Sequence, residues 1–165
     1  MALVVETGSG VAGANTYADA AYVDAYCAGL GLADWAAKTA EEKESAILRA
    51  MQYIESRPWK GHKAEELYPL EWPRSAVEDR NGYAVDEDEV PEKVKKALSE
   101  GAYREAESPR SLQKDLKGSL QTKRVKAGSL ETEYFEGSEE AGDRLVLIES
   151  LLVGLVVEDT AVLRT

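Results

Sequence analysis

The single histidine, His62, and the single cysteine, Cys27, are the residues around which nucleophilic chemistry would have to be built. A Ser–His–Asp or Cys–His arrangement needs an imidazole within hydrogen-bond reach of the nucleophile. Neither residue lies in a nucleophile elbow or an active-site signature, and a lone histidine in a polar stretch reads as a surface residue. No catalytic group is assigned, and the chain is expected not to be an enzyme. Gly8-Ser9-Gly10-Val11-Ala12-Gly13 has the G-x-G-x-x-G spacing and follows the apolar run 2–5. As a dinucleotide site it would need a second strand ending in an acidic residue. Residues 28–38 are no strand, so the glycines read as a flexible turn. Asp86-Glu87-Asp88-Glu89 lacks the glycine and terminal glutamate of an EF-hand loop. It reads instead as carboxylates set before a helix N-terminus, where the helix dipole favours them. One cysteine allows neither an internal disulfide nor a Cys-rich metal site. No metal and no cofactor is expected.

Binding chemistry is better represented. Trp59, Tyr68 and Trp72 surround Pro69 and Pro73. They form either a docking platform or a set of staples that pin their own loop, since aromatic side chains bury large areas. Arg74 either pairs with a carboxylate or projects toward a neighbour. In residues 110–126, Arg110, Lys114, Lys117, Lys123, Arg124 and Lys126 face one acid, Asp115, so an anionic partner would meet this stretch. It has no interleaved aromatics for base stacking. The whole chain of 165 residues carries a net charge of −11, against the basic footprint of most nucleic-acid binders. The opening residues lack the basic and apolar regions of a signal peptide, and no apolar run is long enough to span a bilayer. A soluble, acidic, cytoplasmic product is expected.

The elements that would position these residues are mostly helical. Residues 2–5 form a short strand or an extended lead, and about 18–28 a first helix behind Asn15 and Thr16. Thr39 with Glu42 is a capping box for a helix over 40–57, whose stripe is Ala46, Ile47, Ala50, Met51 and Ile54. Residues 58–89 are a long loop. Pro91 opens a helix over 91–107, and Ser108–Pro109 closes it. Two alternating runs over 120–136, turning at Ala127–Gly128, read as a β-hairpin or arm. Residues 137–142 form a linker, and Asp143 caps a final helix over 143–157. That helix is apolar most of the way round, including Leu151 and Leu152, so it is either a central core helix or a subunit interface. The expected architecture is mainly α: a small bundle of about four helices with a β-hairpin arm before the C-terminal helix. It divides into a helical core (1–109), an arm (110–142) and a C-terminal helix and tail (143–165), packed as one domain.

Several blocks occur in an order that resembles tailed-phage head–tail adaptor, or head-completion, proteins. They are Val5-Glu6-Thr7-Gly8-Ser9-Gly10, Ala14-Asn15-Thr16-Tyr17, Asp24-Ala25-Tyr26, and the AILRAMQYI helix followed by Trp59-Lys60-Gly61. Leu70-Glu71-Trp72-Pro73-Arg74, Val90-Pro91 with Val94-Lys95, Lys126 to Tyr134, and Ile148-Glu149-Ser150-Leu151-Leu152 complete the set. Cys27 and Gly154 depart from it, standing where an aromatic and a proline are frequent. Members of this family often carry the label of DnaT-like single-stranded-DNA-binding proteins. The resemblance implies a structural virion protein in the head–tail neck, assembled in the host cytoplasm. It would form a twelvefold ring beneath the portal, extend the channel for genomic DNA without reading its sequence, and offer a platform to the next connector or tail protein. Interface candidates are Trp59, Trp72, Arg74, Lys123, Arg124, Leu130, Tyr134, Leu151, Leu152, Leu163 and Arg164. The alternative is a single-strand-binding replication module that uses 110–126 and the tryptophans.

Overall fold

The computed structural model describes residues 2–112 and 146–157, and the backbone pairing of 122–127 with 130–135. The linker 137–142, the Asp143 cap, Leu163 and Arg164 lie outside the described residues. So do the side chains of Lys123, Arg124, Leu130 and Tyr134.

The chain is mainly helical, with five helices and two small two-stranded sheets among the described residues. The apolar lead is extended and lies along residues 15–16. Val5 bridges Thr16 in parallel, and the Asn15 side chain takes the Val4 N–H at 2.8 Å. The true cap of α1 (Ala20–Gly29) is Asp19, whose carboxylate accepts from the Tyr22 N–H. Asn15 and Thr16, expected to lead this helix, hold the N-terminal segment instead.

No local pattern marks α2 (Ala33–Ala36), a single turn that carries Trp35 into the core. Gly31, at φ +71°, reverses the chain between α1 and α2. α3 (Ala40–Glu55) begins with the expected capping box and buries the expected stripe, with Tyr53 added to it. α4 (Glu92–Glu107) starts after Pro91 and packs along α3. Contact is close at Gly101, where a Cβ would stand 3.2 Å from the Ala50 Cβ.

The hairpin expected over 120–136 is β3 (Thr122–Ala127) paired antiparallel with β4 (Leu130–Phe135), in a register that sets Ala127 opposite Leu130. The final helix ends earlier than expected. α5 covers Val146–Leu152 and packs on α4. Gly154 ends the turn after it at φ +91°, so close to Arg80 that a Cβ would lie 2.5 Å from the Arg80 nitrogen. The chain then runs back beside residues 58–60: Lys60 N–H donates to Leu155 O at 2.9 Å, and Val157 N–H to Pro58 O at 2.7 Å.

Candidate functional site

The long loop 58–89 is built around its own aromatics. Trp59 and Trp72 meet edge to face, with ring centroids 5.6 Å apart, and are 7% and 0% exposed. The peptide between Trp72 and Pro73 is cis. Tyr17 donates its hydroxyl hydrogen to Glu55 on α3 and accepts the Trp72 N–H at 3.0 Å, while Glu71 N–H donates to the other Glu55 oxygen. Burial pushes the Glu55 carboxyl above its usual range, against hydrogen bonds from Tyr17 and Glu71 that favour the anion. The Tyr17 hydroxyl is pushed far up by burial and by the Glu55 charge.

Arg74, on β2 (Arg74–Ser75), is buried. Its guanidinium donates to the carbonyls of Lys60, Gly61 and Glu71 and pairs with the Glu71 carboxylate at 2.6 Å. β2 pairs with β1 (His62–Lys63), which leaves His62 exposed. Trp59, Trp72 and Arg74, named as interface candidates, thus serve their own loop. Of the two readings of the tryptophans, platform and staple, the geometry is that of the staple.

The glycine loop has an unexpected interior. The Glu6 carboxylate is buried and accepts three backbone N–H groups, from Gly8 at 2.8 Å, Gly10 at 2.9 Å and Val11 at 2.8 Å. Successive amides of this kind form a concavity suited to an anion. Here the chain fills it with its own side chain. Gly8 and Gly10 are required twice over, by φ of +109° and +70° and by close approach: a Cβ would lie 1.9 Å from the Asp88 carbonyl oxygen and 2.0 Å from the Tyr68 ring.

A second buried carboxylate, Glu105, closes α4. It accepts from Arg49 Nε at 3.0 Å, Arg110 N–H at 2.6 Å and Leu112 N–H at 2.9 Å. It thereby holds Arg110 at φ +64°, in the left-handed region. Cys27 is buried and its thiol is pushed up to about 11, chiefly by burial, which leaves little of the reactive thiolate at neutral pH. It borders an open hollow of about 400 Å³ between α1 and α2, where Asp24 already takes hydrogen bonds from Trp35 Nε1 and Lys43 Nζ. Among the described residues no cluster of three or more His, Cys, Asp or Glu could hold a metal ion.

Among the described residues, large apolar side chains are exposed at Leu30, on the loop 58–89, and on and after α5. On and after α5, Ile148, Leu152 and Leu155 face the core and Leu151 is half-buried, while Val146, Leu147, Val153 and Val157 are exposed. One side of this helix is therefore core, as the first alternative had it, and among the described residues the other side is apolar and exposed. α5 is tied down by Glu149, which accepts from the Tyr53 hydroxyl and from Arg57 Nη1. On the loop, Leu67 is 93% exposed and Tyr83 74% exposed. Around them Glu65, Glu66, Glu78, Asp86, Glu87, Asp88 and Glu89 are also exposed. Leu67 and Tyr83 were not picked out from the sequence. The only signal there was an apolar residue among like charges, which is also the pattern of an ordinary solvated loop.

A family model of DnaT-like ssDNA binding proteins matches residues 1–165. The chain belongs to this family. No curated protein matches the chain, and no solved structure does. In this DnaT-like family member, the tryptophans Trp35, Trp59 and Trp72 are all in the core, so none offers its face to a nucleobase. No helix of the described residues is long and apolar enough to cross a membrane.

Proposed function

We propose that this DnaT-like family member is a structural docking protein, a head–tail adaptor that assembles as a ring beneath a phage portal and receives the next connector or tail protein. One observation carries the reading: the exposed apolar side chains sit on elements locked from within. Leu67 and Tyr83 project from a loop pinned by Trp72, Arg74 and the Tyr17–Glu55 anchor. Leu147 and Val153 project from a helix end tied by Glu149. A preorganised apolar contact loses little conformational entropy on binding, which is what an assembly surface needs. The ordered sequence blocks give the assembly its identity. Ring contacts are head-to-tail, so two different surfaces per subunit are required, and exposed apolar side chains on both the loop and α5 support such an arrangement. The carboxylates of the loop suit a channel wall, where like charge keeps DNA sliding without adhesion.

The test mixes the purified chain with purified portal and follows the complex by sedimentation and electron microscopy. Ring-on-portal complexes are expected. Leu67→Glu and Leu147→Asp should each weaken the complex at least about tenfold, while unfolding stability stays within about 0.5 kcal/mol, since both side chains are exposed. A chain that stays monomeric with portal overturns the reading.

The family name supports a second reading, single-strand binding through the basic stretch 110–126. It requires binding of oligo(dT) at low salt that falls steeply as salt rises and is abolished by Lys123→Glu with Arg124→Glu. Because the tryptophans are sealed, binding through this stretch should leave their fluorescence nearly unquenched.

A further inference from the structure

The loop 58–89 carries one turn whose covalent chemistry the docking reading leaves unused. Asn81–Gly82 sits at the tip of a small hairpin closed by the antiparallel bridge between Glu78 and Ala84, and both residues are exposed. An asparagine followed by glycine is the sequence most open to attack of a backbone nitrogen on the side-chain amide, because glycine has no side chain to hinder the approach. Around Gly82 nothing beyond its chain neighbours lies within 4 Å of where a Cβ would be, so the glycine side of the turn is open.

One residue restrains it. The Asp79 carboxylate accepts the Asn81 N–H at 2.7 Å and the Tyr83 N–H at 3.0 Å, and its other oxygen takes the Asn81 side-chain amide at 3.3 Å. The Asp79 carbonyl accepts the Gly82 N–H at 3.0 Å. The would-be nucleophile is thus committed as a hydrogen-bond donor, and the would-be electrophile is held by its own amide.

We propose that Asn81–Gly82 is a site of spontaneous deamidation and that Asp79 is the residue that sets its rate. In the step, the Gly82 nitrogen loses its proton and bonds to Asn81 Cγ. The Cγ–Nδ2 bond breaks and ammonia leaves with that proton, giving a cyclic imide. Water then opens the imide at either carbonyl, to aspartate or to isoaspartate. No oxidation or reduction takes place. The product carries a new carboxylate next to Asp79, and in the isoaspartate form one extra backbone methylene between the bridge partners. Hydrogen bonds from the Tyr83 and Asn81 amides hold the Asp79 carboxyl below its usual range, so the restraint is present throughout the neutral range in which the reaction runs. The change would be felt beyond the loop, because the Arg80 backbone is packed against Gly154 at the end of α5.

The experiment incubates the full chain at pH 7.4 and 37 °C and measures conversion at Asn81 by peptide mass spectrometry, with isoaspartate counted by isoaspartyl methyltransferase labelling. A free peptide of residues 77–85 runs alongside. The full chain is expected to convert measurably but several-fold more slowly than the peptide. Asp79→Ala, which removes the carboxylate but keeps the backbone carbonyl that accepts the Gly82 N–H, should convert several-fold faster than the native chain without reaching the peptide rate, and Asn81→Ala should abolish the product. Asp79→Asn, which keeps an acceptor oxygen but loses the charge, should fall between the native chain and Asp79→Ala, and circular dichroism reports whether each variant is folded. Conversion in folded Asp79→Ala at the native rate overturns the role of Asp79. No conversion of the full chain when the peptide has fully converted overturns the site.

Discussion

Two buried carboxylates decide local geometry at the level of single residues. Glu6 and Glu105 each bind backbone N–H groups that would otherwise be unpaired in the interior, and a buried unpaired donor is expensive. Glu6→Gln keeps the size but sets an amide hydrogen against amides that also donate. It should lower unfolding stability by about 1–3 kcal/mol in urea titration. Glu105→Ala removes the partner of Arg49 and of two backbone amides and releases the left-handed Arg110. A loss of about 3 kcal/mol is expected, with the transition still cooperative. Neither role could be read from sequence. A glutamate in a polar segment looks the same whether it faces water or a ring of amides, and only the closed loop makes the difference.

Helices and loop are joined by tyrosine–carboxylate pairs, Tyr17–Glu55 for the loop and Tyr53–Glu149 for α5. Burial pushes the Tyr53 hydroxyl up to about 12, so it remains a donor throughout the neutral range. Glu55 titrates against the fold. Its carboxyl is raised in the folded chain, so its contribution is complete below the ordinary carboxylate value and is lost as pH rises through the raised one. Urea titrations taken down from neutral pH to the ordinary carboxylate value should therefore show the native chain gaining stability relative to Glu55→Gln, and parallel curves would dismiss the effect. At the start of α3, Thr39→Ala breaks the capping box and should cost about 1 kcal/mol, read as a lower Tm. That helix was legible because its signals are local: a cap, a stripe at helical spacing, and Pro58 as a stop. α2 and the short end of α5 were not. A single turn has no period to detect, and the apolar run 151–157 looks helical until the approach of Arg80 to Gly154 dictates a reversal.

For the whole molecule, all three tryptophans are sealed while aliphatics such as Leu67 and Val153 stay exposed, which separates what holds the fold from what is left outside. Val153→Asp on the free face should leave the fold intact and reduce assembly on the portal, whereas Trp72→Ala should unfold the loop. The latter loss should be about 3–5 kcal/mol, because the indole is fully buried against Trp59. Sedimentation with and without portal, paired with thermal melts, separates the two outcomes. The hairpin β3–β4 was legible from its two alternating runs, though Ala127, expected in the turn, is paired within β3 opposite Leu130. The exposed apolar side of α5 was legible only in part: Leu151 and Leu152 were named, yet Leu152 is core and Leu151 half-buried, while Leu147 and Val153 face outward.

The amino-acid order by itself determined the helical class, the main helices, the presence of the hairpin and the net acidic charge, because each depends on composition or on neighbours within a few residues. Tertiary structure alone decided which aromatic rings are sealed, which carboxylates are swallowed by backbone amides, and which aliphatics remain outside. Those outcomes depend on segments far apart in the chain, such as residues 58–60 with 155–157, or Arg80 with Gly154, closing on one another. Local pattern holds no record of such meetings.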